Sequence, residues 1–170
     1  KAYNPVNYDG KYYGIVSLRK ALANSLNVTA VKALKIVGVD AMIQTAENLG
    51  ISTFKDRSRF GLALTLGGGE TKLLEMTGAF AALANKGEFH QPVAILEIKN
   101  SKGQTIYKWR EAKGRQAVTP ESAFIISDIL SDDGARSMVF GTGSMLNIPG
   151  YKVAVKTGTT DDKRDNYAMG

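Results

Sequence analysis

The sequence predicts a single helix-rich domain whose sheet is deficient. Three observations carry this. Apolar residues recur at helical spacing in five separate segments of the first 130 positions. One good β-branched strand stands near the C-terminus, with a truncated neighbour and a peripheral hairpin as its only company. No internal repeat or Pro/Gly/Ser-rich linker divides the 170 residues, so one domain is expected over 1–170. Such a sheet is too small to bury both faces of a core.

The elements follow in order. Residues 1–14 are rich in Tyr, Asn and Gly without sustained period, and read as an ordered loop pinned by its aromatics. Ser17 is placed to cap a helix through Leu18, Ala21 and Leu22. After Ser25-Leu26-Asn27 a second helix carries Val28, Val31, Leu34 and Val37 and ends at Gly38. Asp40 is expected to cap a third, through Ile43, Ala46 and Leu49, stopped by Gly50. Residues 51–60 read as a polar, basic connector. Gly67-Gly68-Gly69 breaks the apolar run from Leu62, and Thr71 is expected to start the strongest helix, from Leu73 to Leu83.

Segments 93–98 and 104–109 flank Asn100-Ser101-Lys102-Gly103 as a hairpin. Thr119-Pro120 opens a further helix, with proline at its first position, and Asp132-Asp133-Gly134 is expected to end it. A flexible loop then leads to the strand Val153-Ala154-Val155-Lys156. Its valines should point inward and its lysine to the opposite side. Asn166-Tyr167-Ala168-Met169 reads as the start of a partner strand.

Composition excludes several functions. Hydrophobic content of 44% with 22% charged residues is that of a globular chain. No apolar run approaches the roughly 20 residues of a membrane span, and no signal-type start is present. Without cysteine there is no thiol chemistry, and one histidine, His90, leaves no Ser-His-Asp triad and no histidine metal site; we expect no metal and no cofactor. His90 precedes Gln91-Pro92 and reads as a solvated loop residue. The net charge of +6 is scattered among acidic residues, which argues against nucleic acid as partner.

Two short patterns suggest chemistry. Lys156-Thr157-Gly158-Thr159 places a cation, hydroxyl donors and open backbone N–H groups together, a set suited to an anionic group. Ser25-Leu26-Asn27, between two helices, offers a hydroxyl for proton relay and an amide for holding a substrate amide. Each alone is weak. Together, in that order and about 130 residues apart, they form a pairing associated with penicillin-recognising serine enzymes.

The surrounding text resembles class A penicillin-binding proteins over essentially the whole chain. The resemblance rests on residues 7–14 and 16–27 around the Ser-x-Asn motif. It rests also on Leu66-Gly67-Gly68-Gly69-Glu70 with Leu74-Glu75-Met76, on residues 82–87, and on Lys156–Thr160 with Asp165. It implies an α+β fold of β-lactamase/transpeptidase type, an antiparallel sheet flanked by helices, here incomplete. It implies D,D-transpeptidation: a serine attacks a D-Ala-D-Ala stem peptide of peptidoglycan, releases D-Ala and passes the acyl group to an amine on a second strand, and the same serine is the target of β-lactams. Ser25, Asn27 and Lys156 would be the catalytic residues present; Thr157, Gly158 and Thr159 would bind the substrate or drug. Partners would be stem peptides and β-lactams, with the upstream part of the domain or a second copy completing the fold. The place of action would be the extracytoplasmic face of the bacterial membrane, with the anchor outside this chain.

The family's Ser-x-x-Lys nucleophile has no convincing counterpart. Ser17-x-x-Lys20 and Ser52-x-x-Lys55 match as text only. The first shares a short helix with Ser25 and cannot form the opposite wall, and the second falls between the other two motifs. The nucleophile and its helix, like the last strands, are expected outside these residues. A hydrolytic relative, or a non-catalytic remnant binding peptidoglycan or a partner, are the alternatives. The Gly67-Gly68-Gly69 run lacks the Gly-Lys-Ser/Thr ending of a phosphate loop and reads as a tight turn.

Overall fold

The structure, a computed structural model, describes residues 3–160 and 165–170; the first two residues of the expected N-terminal loop lie outside them. Among the described residues six α-helices are present: α1 (Leu18–Ala23), α2 (Asn27–Val37), α3 (Val39–Asn48), α4 (Leu73–Ala84), α5 (Pro120–Leu130) and α6 (Asp133–Phe140). Six short strands among the same residues pair two by two and antiparallel. β1 (Glu88–Phe89) pairs with β4 (Arg115–Gln116), β2 (Glu97–Lys99) with β3 (Thr105–Lys108), and β5 (Lys156–Thr159) with β6 (Asn166–Met169). This is the helix-rich α+β arrangement that was expected, with the sheet reduced to three separate ribbons among the described residues. Among the described residues no helix is long and apolar enough to cross a membrane.

The principal core is built where α2, α3, α4 and the 3₁₀ turn Leu62–Leu66 meet. Leu34, Ile43, Ile51, Phe54, Leu64 and Ala79 are buried there, with Phe54 and Phe60 in edge contact at 5.1 Å between centroids. Ile51 and Phe54 correct the reading of residues 51–60 as a polar connector. Lys55, Asp56 and Arg59 face water while two apolar side chains, three positions apart, fill the centre. Gly69 has a packing reason rather than a phosphate-binding one. A Cβ there would come within 2.7 Å of both Leu64 Cδ1 and the Phe54 ring.

A second packing centre joins α1, α5 and α6 through small residues. Ala21, Ala23 and Ala123 are buried with Leu26, Ile129 and Leu130, and α1 packs on both α5 and α6. Thr119 caps α5 with its hydroxyl on Ser122 N, and Pro120 sits at the first position as expected. The stop at Asp132-Asp133-Gly134 is, however, a start. α5 ends at Leu130, and the Asp132 carboxylate accepts from Ala135 N at 2.8 Å, opening α6.

Three smaller corrections concern ends. α3 begins directly after Gly38, so Asp40 lies in its first turn, favourable to the helix dipole, rather than at its cap. α4 begins after Lys72 rather than at Thr71. Of the N-terminal aromatics only Tyr13 helps to pin the loop, half-buried and donating to the Asp9 carboxylate, while Tyr3, Tyr8 and Tyr12 are exposed. Asn7, only 5% exposed, pins it as well, donating to Lys11 O at 2.7 Å and accepting from Val28 N at 3.1 Å.

Candidate active site

The site forms where α1 stops. Its last turn closes with two bonds, Ser25 N to Leu22 O at 3.1 Å and Leu26 N to Ala21 O at 3.0 Å, the pattern that ends a helix on a left-handed residue. Glycine usually fills that position because a Cβ crowds the following carbonyl. Here it is serine: Ser25 has φ +56°. A left-handed non-glycine residue costs free energy and persists where surrounding structure over-determines it. The buried Leu26 and the buried Asn24 on either side supply that constraint.

Asn24, 2% exposed, spends its whole amide. It donates to Lys20 O at 2.9 Å and to Ala135 O at 2.7 Å, and accepts from Val139 N at 2.8 Å. It thus fastens the end of α1 to α6, one residue before Ser25. Asn27 is the first residue of α2 and half-buried; its amide donates to Val6 O at 3.0 Å. Asn27 is therefore not a cap. Asn7 performs that function for α2 from 21 residues away, through Val28 N.

The lysine arrives from the other end of the chain. The expected strand over Val153–Lys156 is displaced: residues 151–155 precede the strand, which begins at Lys156 and runs through Thr159. The β-branched run reads as a strand locally, but pairing decides, and the partner β6 stands opposite Lys156–Thr159. Val153, Ala154 and Val155 are all half-buried, without the expected alternation. Val155 N instead bonds Leu130 O at 3.1 Å, tying the approach to the end of α5.

Lys156 and Ser25 meet. The ammonium donates to Ser25 Oγ at 2.7 Å and to the carbonyl of Thr157 at 2.6 Å, across 131 residues of sequence in the first case. Among the described residues no carboxylate lies within 4.0 Å of it. Burial without a counter-charge lowers its pKa from the ordinary lysine range, so the ammonium gives up its proton more readily than an exposed lysine does. A lysine so placed can take a proton from a hydroxyl and return it through the serine. Thr157 is half-buried; Gly158 and Thr159 are exposed, and Thr159 Oγ1 lies 3.3 Å from Asn166 Oδ1. The three form the surface of β5 beside the ammonium.

The textual matches to Ser-x-x-Lys stay apart from this cluster. Ser17 caps α1, accepting from Lys20 N. The Ser52 hydroxyl donates to Glu75 at 2.7 Å, its N–H donates to the same carboxylate at 2.9 Å, and Lys55 is exposed elsewhere. Those bonds, with Lys72 at 3.0 Å, hold the Glu75 carboxyl at a pKa of about 2. So weak a base does not activate a serine; the cluster staples the segment after α3 to the start of α4. His90, exposed, lies 3.2 Å from Glu88.

Comparison with known proteins identifies the family. Residues 1–168 match the family described as the penicillin binding protein transpeptidase domain. Penicillin-binding protein 1A/1B of Bacillus subtilis is 35% identical over 96% of the chain, and penicillin-binding protein 1A of Clostridium botulinum 33% over 99%. The chain spans 18% and 20% of those two proteins' lengths. Penicillin-binding protein 1A from Haemophilus influenzae superposes with a TM-score of 0.76 at 20% identity, over 99% of this chain and 30% of that one. Penicillin-binding protein A from M. tuberculosis, as an imipenem acyl-enzyme complex, gives 0.70 at 24%, over 92% and 39%. The chain belongs to the transpeptidase-domain family of penicillin-binding proteins, and its curated relatives place it with the class A members.

Proposed function

We propose that these residues form two of the three walls of a peptidoglycan D,D-transpeptidase site. The observation that carries the reading is the 2.7 Å contact between Lys156 Nζ and Ser25 Oγ, which brings the two motifs side by side. In this reading a serine outside these residues attacks the carbonyl of the D-Ala-D-Ala bond. Its proton passes by way of Ser25 and Lys156 to the nitrogen of the departing D-Ala as the C–N bond breaks. An amine of a second stem peptide then attacks the ester, its proton returns along the same path, and the serine is released. Asn27 holds a substrate amide. Thr157 and Thr159 bind the terminal carboxylate of the peptide or of a β-lactam, Gly158 leaves room for the substrate backbone, and an N–H near Thr159 steadies the oxyanion.

The remainder of the domain, in this reading, belongs to the same polypeptide. Leu73 and Leu74 on α4, and Phe124 and Ile125 on α5, are exposed apolar side chains that a neighbouring layer would cover. The protein would act on the extracytoplasmic face of the membrane, anchored by a segment elsewhere in it. The test is product analysis: the full-length protein with a pentapeptide donor and an amine acceptor should release D-Ala and yield cross-linked dimer. Release of D-Ala into hydrolysed product alone would support a carboxypeptidase, and no turnover a binding remnant.

A further inference from the structure

Two buried polar side chains converge on α6. Asn24 is 2% exposed and Arg136 is 4% exposed, and both bond to α6 or belong to it. Asn24 binds Ala135 O and Val139 N of α6, and its chain neighbour is Ser25. Arg136, on α6, donates from Nη2 to Leu130 O at 2.6 Å, with a longer 3.6 Å contact from Nε to Asp133. The same Leu130 carbonyl accepts from Val155 N at 3.1 Å, and the chain neighbour of Val155 is Lys156. A carbonyl oxygen has two lone pairs, and here one goes to each side.

Ser25 and Lys156 are therefore both fixed to one short helix, each through the residue immediately before it. We propose that Asn24 and Arg136 are positioning residues, and that α6 sets the Ser25 Oγ–Lys156 Nζ contact. Burying a guanidinium with so few partners is unfavourable, so a purely structural contact would be served better by an apolar side chain. A charged donor on the Leu130 carbonyl is strong and directional, and it holds the Val155–Leu130 junction in one register. Arg19 strengthens the frame from outside, bonding Asp128 at 2.7 Å and Asp132, the cap of α6, at 3.0 Å. Both site residues can then move only together with α6.

Two measurements on the full-length protein test this, with Asn24→Ala, Arg136→Met and the donor-retaining Arg136→Lys. The first does not depend on the acyl-transfer reading: competitive acetylation across pH, with the Lys156 peptide read by mass spectrometry, follows titration of that amine. We expect its midpoint to rise toward the ordinary lysine range in Asn24→Ala and Arg136→Met, and to return part of the way in Arg136→Lys. An unchanged midpoint in folded variants overturns the proposal. The second rests on that reading and is the rate of β-lactam acylation. Misplacement by about 1 Å can cost on the order of a hundredfold, so a fall of tenfold or more is expected. That loss should vanish for Asn24→Ala in a Ser25→Ala background and for Arg136→Met in a Lys156→Ala background. Losses that multiply in the double variants overturn it. A wild-type protein that is not acylated at all sinks the transpeptidase reading and leaves the titration to decide the positioning.

Discussion

Ser25 offers a test in which the sign of one difference decides. Its hydroxyl meets Lys156, and its backbone sits at φ +56°. Ser25→Ala and Ser25→Gly both remove the Oγ and leave the ammonium without that acceptor, at a cost of about 1–3 kcal/mol each. They differ in backbone alone. Alanine keeps the left-handed strain, about 1–2 kcal/mol; glycine relieves it but gains about 0.4–1 kcal/mol of unfolded-state entropy. The glycine variant should therefore equal or exceed the alanine variant by up to about 1.5 kcal/mol, which is the difference of those two ranges. For a domain of this size about 1 kcal/mol moves Tm by roughly 2–4 °C. Thermal melts of the two full-length variants, read by near-UV circular dichroism, make the comparison, and both should be slowed in β-lactam acylation. In an ordinary helical site glycine would be the worse residue by about 1 kcal/mol. An alanine variant more stable than the glycine variant would refute the strained-turn account of the motif.

Further outcomes follow from the packing. The Glu75 carboxyl, at a pKa of about 2, stabilises the fold fully above the unfolded value of 4.5 and loses that contribution as pH falls toward 2. Glu75→Gln should thus cost about 1–2 kcal/mol at pH 7, and the gap to wild type should close between pH 5 and 2; a constant gap would contradict the pairing with Ser52 and Lys72. Asn7→Ala removes the only side-chain bond to the first turn of α2 among the described residues and should cost about 1–2 kcal/mol in a melt, whereas an effect below a few tenths would show that water replaces it. The 170 residues expressed alone should bind a hydrophobic dye or self-associate in sedimentation, because Leu73, Leu74, Phe124 and Ile125 are uncovered. A cooperatively melting monomer would place the core elsewhere.

What could be read in the sequence was what local physics decides. Ser17 as a cap, Pro120 at a first turn, the stripe from Val28 to Leu34 and the strand at Asn166 all lie in signals a few residues long. Ser25 and Lys156 were found through the resemblance of their motifs, not through any local feature that brings them together. The errors have one source, long-range bonding. Asp132-Asp133-Gly134 reads as a stop, but the Asp132 side chain turns it into a cap; Ala135, Met138 and Val139 at helical spacing were the available signal. The start of β5 depends on β6, and Ile51 and Phe54 enter the core because α3 and α4 close over them. Asn24 and Asn7 are polar residues in a polar-looking text, and nothing short of their partners, 111 and 21 residues away, marks them as buried.

The account stands most directly on the claim that Ser25 and Lys156 serve an acyl-transfer site whose nucleophile is neither Ser17 nor Ser52. A labelled β-lactam, reacted with the full-length wild type and with Ser25→Ala and Lys156→Ala, measures this when rates are followed and adducts are mapped by mass spectrometry. The predicted result is one adduct on a serine outside these 170 residues, formed at least about a hundredfold more slowly in both variants, within the range of loss typical of a missing proton-transfer group. An adduct on Ser17 or Ser52, or unchanged rates in the two variants, would contradict it.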